Sequence, residues 1–181
     1  MLTDQWFDAS HERKHSRREW EGHVFIFWHA DKSGDQRDTA LNIAALVKTL
    51  RGADSGVNAR QRQWLESMMY IFNKHWDKVD NFRIDKYLML VRATMNALFV
   101  EMKAGNWSAD DLAWYKELVM AVMGAYQKAQ GLSLQICDVL VPELGKVDAG
   151  VSLEVLGSVL GPFLDTLALS EQKILSDRIV D

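Results

Sequence analysis

The fold is decided by the stretch from residue 80 to residue 104, which reads DNFRIDKYLMLVRATMNALFVEMKA. Apolar residues recur in it every three or four positions, as they do along one side of an α-helix. Phe82, Leu90 and Phe99 widen the apolar surface beyond a single stripe, which is typical of a helix packed between neighbours. The stretch therefore predicts a central helix, with Asp80 as its N-cap.

The segments on both sides show the same helical spacing, and none alternates as a strand does. A capping-box pattern, Ser16 followed by Glu19, predicts the start of a first helix, and Asp35 can cap a second. Later helices are expected at about 59–75, 108–130, 134–144, 152–160, 162–169 and 171–180, with Pro162 at a first helical position. The sequence predicts an all-α fold of seven to nine helices in stacked antiparallel pairs, like a helical repeat. Residues 1–15 are expected to form a basic leader, flexible or partly helical, and residues 16–181 a single helical domain.

The 181 residues suit one domain, and no run approaches the roughly 20 apolar residues of a membrane span. No basic and then apolar segment follows Met1, so a reducing intracellular compartment is expected. The net charge is −4, and it is unevenly spread. Residues 1–103 carry 16 Lys and Arg against 14 Asp and Glu, whereas residues 104–181 carry 5 against 11. This asymmetry indicates either different neighbours for the two parts or merely solvated helix faces.

One motif resembles a catalytic metal site. His11, Glu12 and His15 fit the His-Glu-x-x-His pattern of zinc peptidases, but Arg13 and Lys14 lie between the histidines, where their charge opposes a dication. The only cysteine, Cys137, lies in an apolar stretch and is expected to be an inert thiol. The sequence predicts no catalytic residues, no metal and no cofactor.

Two surface features remain. The basic run Arg13, Lys14, Arg17 and Arg18 either contacts RNA phosphates or forms a solvated leader. The chain also has 7 Trp residues, a type enriched at protein interfaces. The tryptophans at helical spacing are expected to belong to the core, and they are Trp20, Trp28, Trp64 and Trp76.

Two blocks of sequence resemble one known family. Residues 20–32, WEGHVFIFWHADK, and residues 76–87, WDKVDNFRIDKY, resemble in order and spacing two motifs of the eukaryotic ribosomal RNA processing protein 1 family. The resemblance implies a noncatalytic scaffold of the nucleolus that supports pre-rRNA processing and assembly of the large (60S) ribosomal subunit. It implies other large-subunit assembly factors as partners, with pre-rRNA as a further contact and no membrane. A generic α-helical adaptor for protein partners, without a ribosomal role, is the alternative function.

Charged residues in and near these blocks are candidates for partner or RNA contact. They are Asp31, Lys32, Arg83, Asp85, Lys86 and Arg92. Asp85 in a first helical turn is also stabilised by the helix dipole, so an internal structural role is equally compatible with its position.

Overall fold

A computed structural model of the chain describes residues 11–52, 56–169 and 171–180, with side chains described from residue 14 onward. In these ranges the backbone forms eight α-helices and one short 3-10 turn, Trp76–Lys78, and contains no strand. The helices are α1 (His11–Trp28), α2 (Ser33–Thr49), α3 (Ala59–His75), α4 (Ile84–Ala104), α5 (Ala109–Gly124), α6 (Gln130–Val147), α7 (Leu153–Leu169) and α8 (Lys173–Val180). The prediction of an all-α fold is confirmed.

The helices stack in two layers. The odd-numbered helices α1, α3, α5 and α7 contact one another in that order, and the even-numbered helices α2, α4, α6 and α8 do the same. Since successive helices alternate between the layers, each helix and its successor form a pair, and the four pairs stack side by side. The predicted stack of helix pairs is the observed architecture.

Helix α4 lies in the middle of the even layer, between α2 and α6. Eleven of its 21 residues are buried, among them Leu90 and Phe99. A helix buried on most sides needs an apolar surface wider than one stripe, and the sequence of α4 supplies it. The prediction of a central helix is confirmed.

The start of α4 differs from the prediction. The helix begins at Ile84, and the Asp80 carboxylate accepts hydrogen bonds from the backbone N–H groups of Phe82 and Arg83 in the preceding turn (3.0 and 3.1 Å). Asp80 therefore stabilises a turn rather than acting as the N-cap. Phe82 lies in this turn, and its side chain is 97% exposed instead of widening the buried surface.

Two other predicted helix starts were wrong. Ser16 is a buried residue inside α1, which is already helical at His11, so the Ser16 pattern is not a capping box. Asp35 lies in the first turn of α2, and the residue at the N-cap position is Lys32. A capping box does form at α3, where Asn58 caps the helix and the Gln61 side chain accepts from the Asn58 backbone N–H (2.9 Å).

The helices after residue 108 also have different bounds from those predicted. Helix α5 ends at Gly124, where the backbone tightens into i→i+3 turns that lead into α6. Both prolines lie inside helices, Pro142 in α6 and Pro162 in α7. The prediction that Pro162 begins a separate helix is therefore wrong. Packing of α7 against α5 outweighs the local preference of proline for a helix start.

Two glycines allow the loop before α3 to lie against the end of α4, next to the start of α5. Gly56 has a φ of +96°, and a Cβ atom added to Gly105 would lie only 2.4 Å from the Gly56 Cα atom. The Asp111 carboxylate at the start of α5 accepts from the Val57 backbone N–H (3.2 Å) and from Arg62 (2.8 Å). This group of contacts, here called the α3–α5 seam, joins the two halves of the odd layer.

Candidate partner-binding surface

The predicted core tryptophans hold α1 against α3. Trp20 is completely buried, and its indole Nε1 donates a hydrogen bond to the Trp64 backbone carbonyl (2.9 Å) while the two rings lie 4.3 Å apart. Trp64 and Trp76 are also buried. Trp28 differs from them because it is half-buried, and one side of it faces a groove described below. The first of the two resemblance blocks thus begins in the core and ends at the surface.

Lys86 contradicts its prediction as a contact residue. It is only 3% exposed, and its ammonium group donates to the backbone carbonyls of Trp28 (2.8 Å) and Ala30 (3.0 Å) at the C-terminal end of α1. The Trp28 carbonyl closes α1, and the Ala30 carbonyl, which also accepts from the Gln36 side chain (3.0 Å), lies just beyond it. The lysine therefore ties α4 to the end of α1. Burial is the main cause that lowers the Lys86 pKa from its usual value, and the nearby Arg83 charge lowers it further.

Arg83 lies beside Lys86 but remains partly accessible. Its guanidinium group stacks over the Trp28 ring (4.4 Å to the ring centroid) and pairs with Asp80. Asp85, one residue into α4, is exposed, and so are Asp31 and Lys32 in the connection between α1 and α2. The structure thus brings this connection and the start of α4 to one corner of the stack.

The predicted basic run lies elsewhere on α1. Lys14 and Arg18 are exposed, whereas Arg17 is half-buried with its guanidinium group 3.7 Å from the centroid of the Tyr70 ring. The side chain of Arg13 lies outside the described side chains. Arg18 precedes Trp28 by ten residues, or about 15 Å along the helix, so the run is separate from the corner.

Arg92 is separate from both groups. It lies on α4 with its side chain 45% exposed, and its Nη1 atom contacts Oε1 of Glu143 on α6 at 3.3 Å. The Glu143 carboxylate is buried and also accepts from Asn96 (3.1 Å) and Lys146 (2.6 Å). Arg92 therefore joins α4 to α6, and its remaining surface faces solvent away from the other candidates.

A groove with a volume of about 740 Å³ runs between α1 and α3 and ends at the 3-10 turn and α4. Its walls are mostly apolar and consist of Val24, Phe25, Trp28, Ile71, Phe72, Trp76, Val79 and Tyr87. Phe25 is 66% exposed, and the adjacent Ile26, which lies outside the lining, is 63% exposed. The sequence did not predict this groove, because nothing in the apolar run from Val24 to Trp28 distinguishes exposed helix positions from buried ones.

The polar rim of the groove is formed by Glu21, His29, His75 and Lys78. The Lys78 ammonium group donates to Nδ1 of His75 (3.2 Å). Burial lowers the His75 pKa, and the positive charges of Lys78 and Lys74 lower it further, whereas Glu21 and Asp77 oppose this shift. A neutral His75 that accepts from Lys78 through Nδ1 carries its proton on Nε2.

Buried carboxylates away from the groove have structural partners. Glu101 in α4 is completely buried and accepts from Arg51 (two bonds of 2.7 Å) and from Gln61 (2.9 Å). These contacts tie together α3, α4 and the end of α2. The sequence contained one signal for them, the Asn58-x-x-Gln61 capping pattern, but nothing in it identified the pairing of Arg51 with Glu101.

The described residues contain no group of three or more His, Cys, Asp or Glu side chains placed to hold a metal ion. His15, from the zinc-like motif, is exposed and contacts Glu19 (3.3 Å), whereas His11 and Glu12 lie outside the described side chains. None of the described helices is both long and apolar enough to span a membrane.

A two-layered stack of helix pairs, with a charged corner and an open apolar groove, defines the class of all-α, helical-repeat-like domains. The family model described as "Nucleolar protein, Nop52" matches residues 3–181, and the chain belongs to this family. The resemblance found in the two sequence blocks is thereby confirmed.

Several relatives carry the name ribosomal RNA processing protein 1 homolog. The Drosophila melanogaster protein is 28% identical over 153 residues, which cover 83% of this chain and 22% of the relative. Homolog B of Homo sapiens is 25% identical over 130 residues (71% and 16%), and the Dictyostelium discoideum homolog is 23% identical over 181 residues (88% and 36%). The chain thus spans about a sixth to a third of the length of these relatives.

Proposed function

We propose that the chain acts in nucleolar rRNA processing, as a noncatalytic scaffold in assembly of the large ribosomal subunit. The observation that carries this proposal is the family match over residues 3–181, together with relatives that are named for rRNA processing. The large-subunit role and the scaffold role follow from the resemblance of the two sequence blocks. They agree with a surface that offers several separate contact regions. Other assembly factors are the proposed partners, and the nucleolus is the proposed location.

Two charged regions are proposed to contact partners or pre-rRNA. The first consists of Lys14 and Arg18 on α1, whose exposed cationic groups suit phosphate contacts. The second is the corner with Asp31, Lys32, Arg83 and Asp85, which suits a protein surface carrying both signs of charge. Arg92 is a third contact position, although its pairing with Glu143 also gives it a role inside the fold.

Depletion of the protein tests the function, and rescue with variants tests the regions. Depletion should cause precursors of the large-subunit rRNA to accumulate, and the wild-type chain should be found in the nucleolus. Unchanged precursors together with a location outside the nucleolus would support the alternative, a generic adaptor.

The variants Lys14→Glu with Arg18→Glu, and separately Lys32→Glu, should fold normally because all three side chains are exposed. Each should weaken co-sedimentation with large-subunit precursors by several-fold. Lys128→Glu, an exposed lysine outside both regions, is the matched control. Co-sedimentation equal to that of the wild type in both test variants would exclude the assigned regions.

A further inference from the structure

The groove between α1 and α3 is an apolar surface that the fold itself does not cover. Phe25 and Ile26 are each about two-thirds exposed, next to a wall that contains Trp28 and Phe72. Apolar side chains that are grouped in this way around a concave surface are typical of a binding site, whereas single exposed ones need no explanation.

The rim of the groove offers hydrogen-bond donors. Lys78 presents its ammonium group, and His75, which accepts from Lys78 through Nδ1, presents an Nε2–H group. Among the described lining residues only Glu21 is a carboxylate, and it lies 3.8 Å from the Lys74 ammonium group. Outside the lining, the exposed Asp77 adds a second negative charge near His75. The rim can therefore hold a carboxylate through its two donors, the Lys78 ammonium group and the His75 Nε2–H group, rather than through a surplus of positive charge.

The shape of the groove indicates what kind of segment it accepts. Its two long walls are helices, and the described residues offer no strand edge to which an extended peptide could add. A volume of about 740 Å³ accommodates several large side chains in a row, as in complexes where an amphipathic helix lies in a groove. Such a helix presents its anchors at positions i, i+3 or i+4, and i+7.

We propose that this groove binds an amphipathic α-helix of another protein, with aromatic or leucine anchors on its apolar face and acidic residues beside them. The anchors cover Phe25, Trp28 and Phe72, and the acidic residues accept hydrogen bonds from Lys78 and His75. This interaction does not depend on the proposed ribosomal role, because any protein that carries such a helix satisfies it.

Site-specific cross-linking in living cells tests the proposal. A photoreactive phenylalanine analogue at position 25 puts the reactive group at the mouth of the groove, where the exposed Phe25 side chain tolerates it. The same analogue at Val141, which is 58% exposed on α6 in the other layer, is the control. Mass spectrometry of the products should identify, at position 25 only, a segment with apolar residues at helical spacing and a net negative charge.

A charge reversal tests separately whether acidic residues of the bound helix contact the rim of the groove. Lys78→Glu should lower the yield of the cross-link at position 25 about fivefold, since it replaces an attraction at the rim by a repulsion. Lys128→Glu changes the charge of the chain equally but lies away from the groove and should leave the yield unchanged. The identified segment, made as a peptide, should bind the purified chain and lose affinity to the same extent with Lys78→Glu.

The proposal is overturned by a cross-link from position 25 to rRNA, to a second copy of this chain, or to a basic or non-amphipathic segment. The absence of a cross-link at position 25, or an equal yield with Lys78→Glu, overturns it as well.

Discussion

Replacement of Arg51 by methionine should destabilise the fold far more than an ordinary surface substitution. The Glu101 carboxylate is completely buried and accepts three hydrogen bonds, two from Arg51 at 2.7 Å and one from Gln61 at 2.9 Å. Arg51→Met keeps the aliphatic part of the side chain but leaves the carboxylate with a single donor and no countercharge.

The expected loss of stability follows from how deeply each member of the Arg51–Glu101 pair is buried. Removal of one partner from a fully buried ion pair costs about 3–5 kcal/mol. The Arg51 side chain is 44% exposed, so water reaches part of the space that it leaves and reduces the loss. We therefore expect the free energy of unfolding to fall by about 2–4 kcal/mol. For a chain of this size, that corresponds to a melting temperature lower by roughly 4–16 °C.

Urea unfolding, followed by tryptophan fluorescence and by far-UV circular dichroism, measures this change. The matched control is Arg37→Met, which removes an exposed arginine from α2 and should change the free energy of unfolding by no more than about 0.5 kcal/mol. The double variant Arg51→Met with Glu101→Met should recover about 1–3 kcal/mol relative to the sum of the single effects, because no buried charge remains. Gln61 keeps a partner in that variant, since its Nε2 atom also donates to the Val47 carbonyl (2.9 Å).

Two results would refute this reasoning. The first is a free energy of unfolding of Arg51→Met within about 0.5 kcal/mol of the wild type. The second is strict additivity of the two single effects, which would mean that the residues do not stabilise each other.

Three further predictions follow from local contacts. Gly105→Ala should lower the free energy of unfolding by about 1–3 kcal/mol, because its Cβ atom would meet the Gly56 backbone, whereas Gly145→Ala in the open interior of α6 should raise it by about 0.5–1 kcal/mol. Equal thermal shifts in the two variants would contradict the close approach. Burial lowers the His23 pKa from 6.5 and Glu19 only partly opposes this shift, so the unfolded chain takes up the proton more readily than the folded one. Stability should therefore fall as the pH drops below about 6.5, and His23→Asn should reduce that dependence, which urea midpoints at pH 8 and pH 6 can measure. Burial, followed by the negative charge of Asp138, raises the Cys137 pKa to about 12. At pH 8 its reaction with a disulfide reagent should be about a hundredfold slower in the folded chain than in urea, and comparable rates would show an accessible thiol.

The helices of this fold were predictable because their apolar spacing repeats over long segments. The central position of α4 was predictable as well, since residues such as Leu90 and Phe99 extend its apolar surface around the helix. Helix starts were less predictable. Asp80 accepts hydrogen bonds within a turn, and Ser16 lies inside a helix, although both are residue types that commonly cap helices. Only the tertiary structure distinguishes these positions from a true N-cap.

The candidate site was predictable only in part. The sequence identified the charged residues of the corner but not their arrangement. It also could not show that Lys86 is buried, because the lysine donates to carbonyls at Trp28 and Ala30, more than fifty positions earlier in the chain. The groove depends in the same way on how α1 and α3 lie side by side. Its exposed Phe25 has the same residue type and spacing as a core residue, so only the structure distinguishes them.

The two layers of the stack differ in how continuously their helices contact one another. Helices α2, α4 and α6 contact one another along much of their length. In the odd layer, by contrast, the contact between α3 and α5 is confined to the α3–α5 seam. A bending motion of the molecule would therefore open or close this seam. Helices α1 and α3 would move together as one unit, and α5 and α7 as another. Since the groove lies between α1 and α3, within the first of these units, it would keep its shape while the whole stack bends to follow a curved surface.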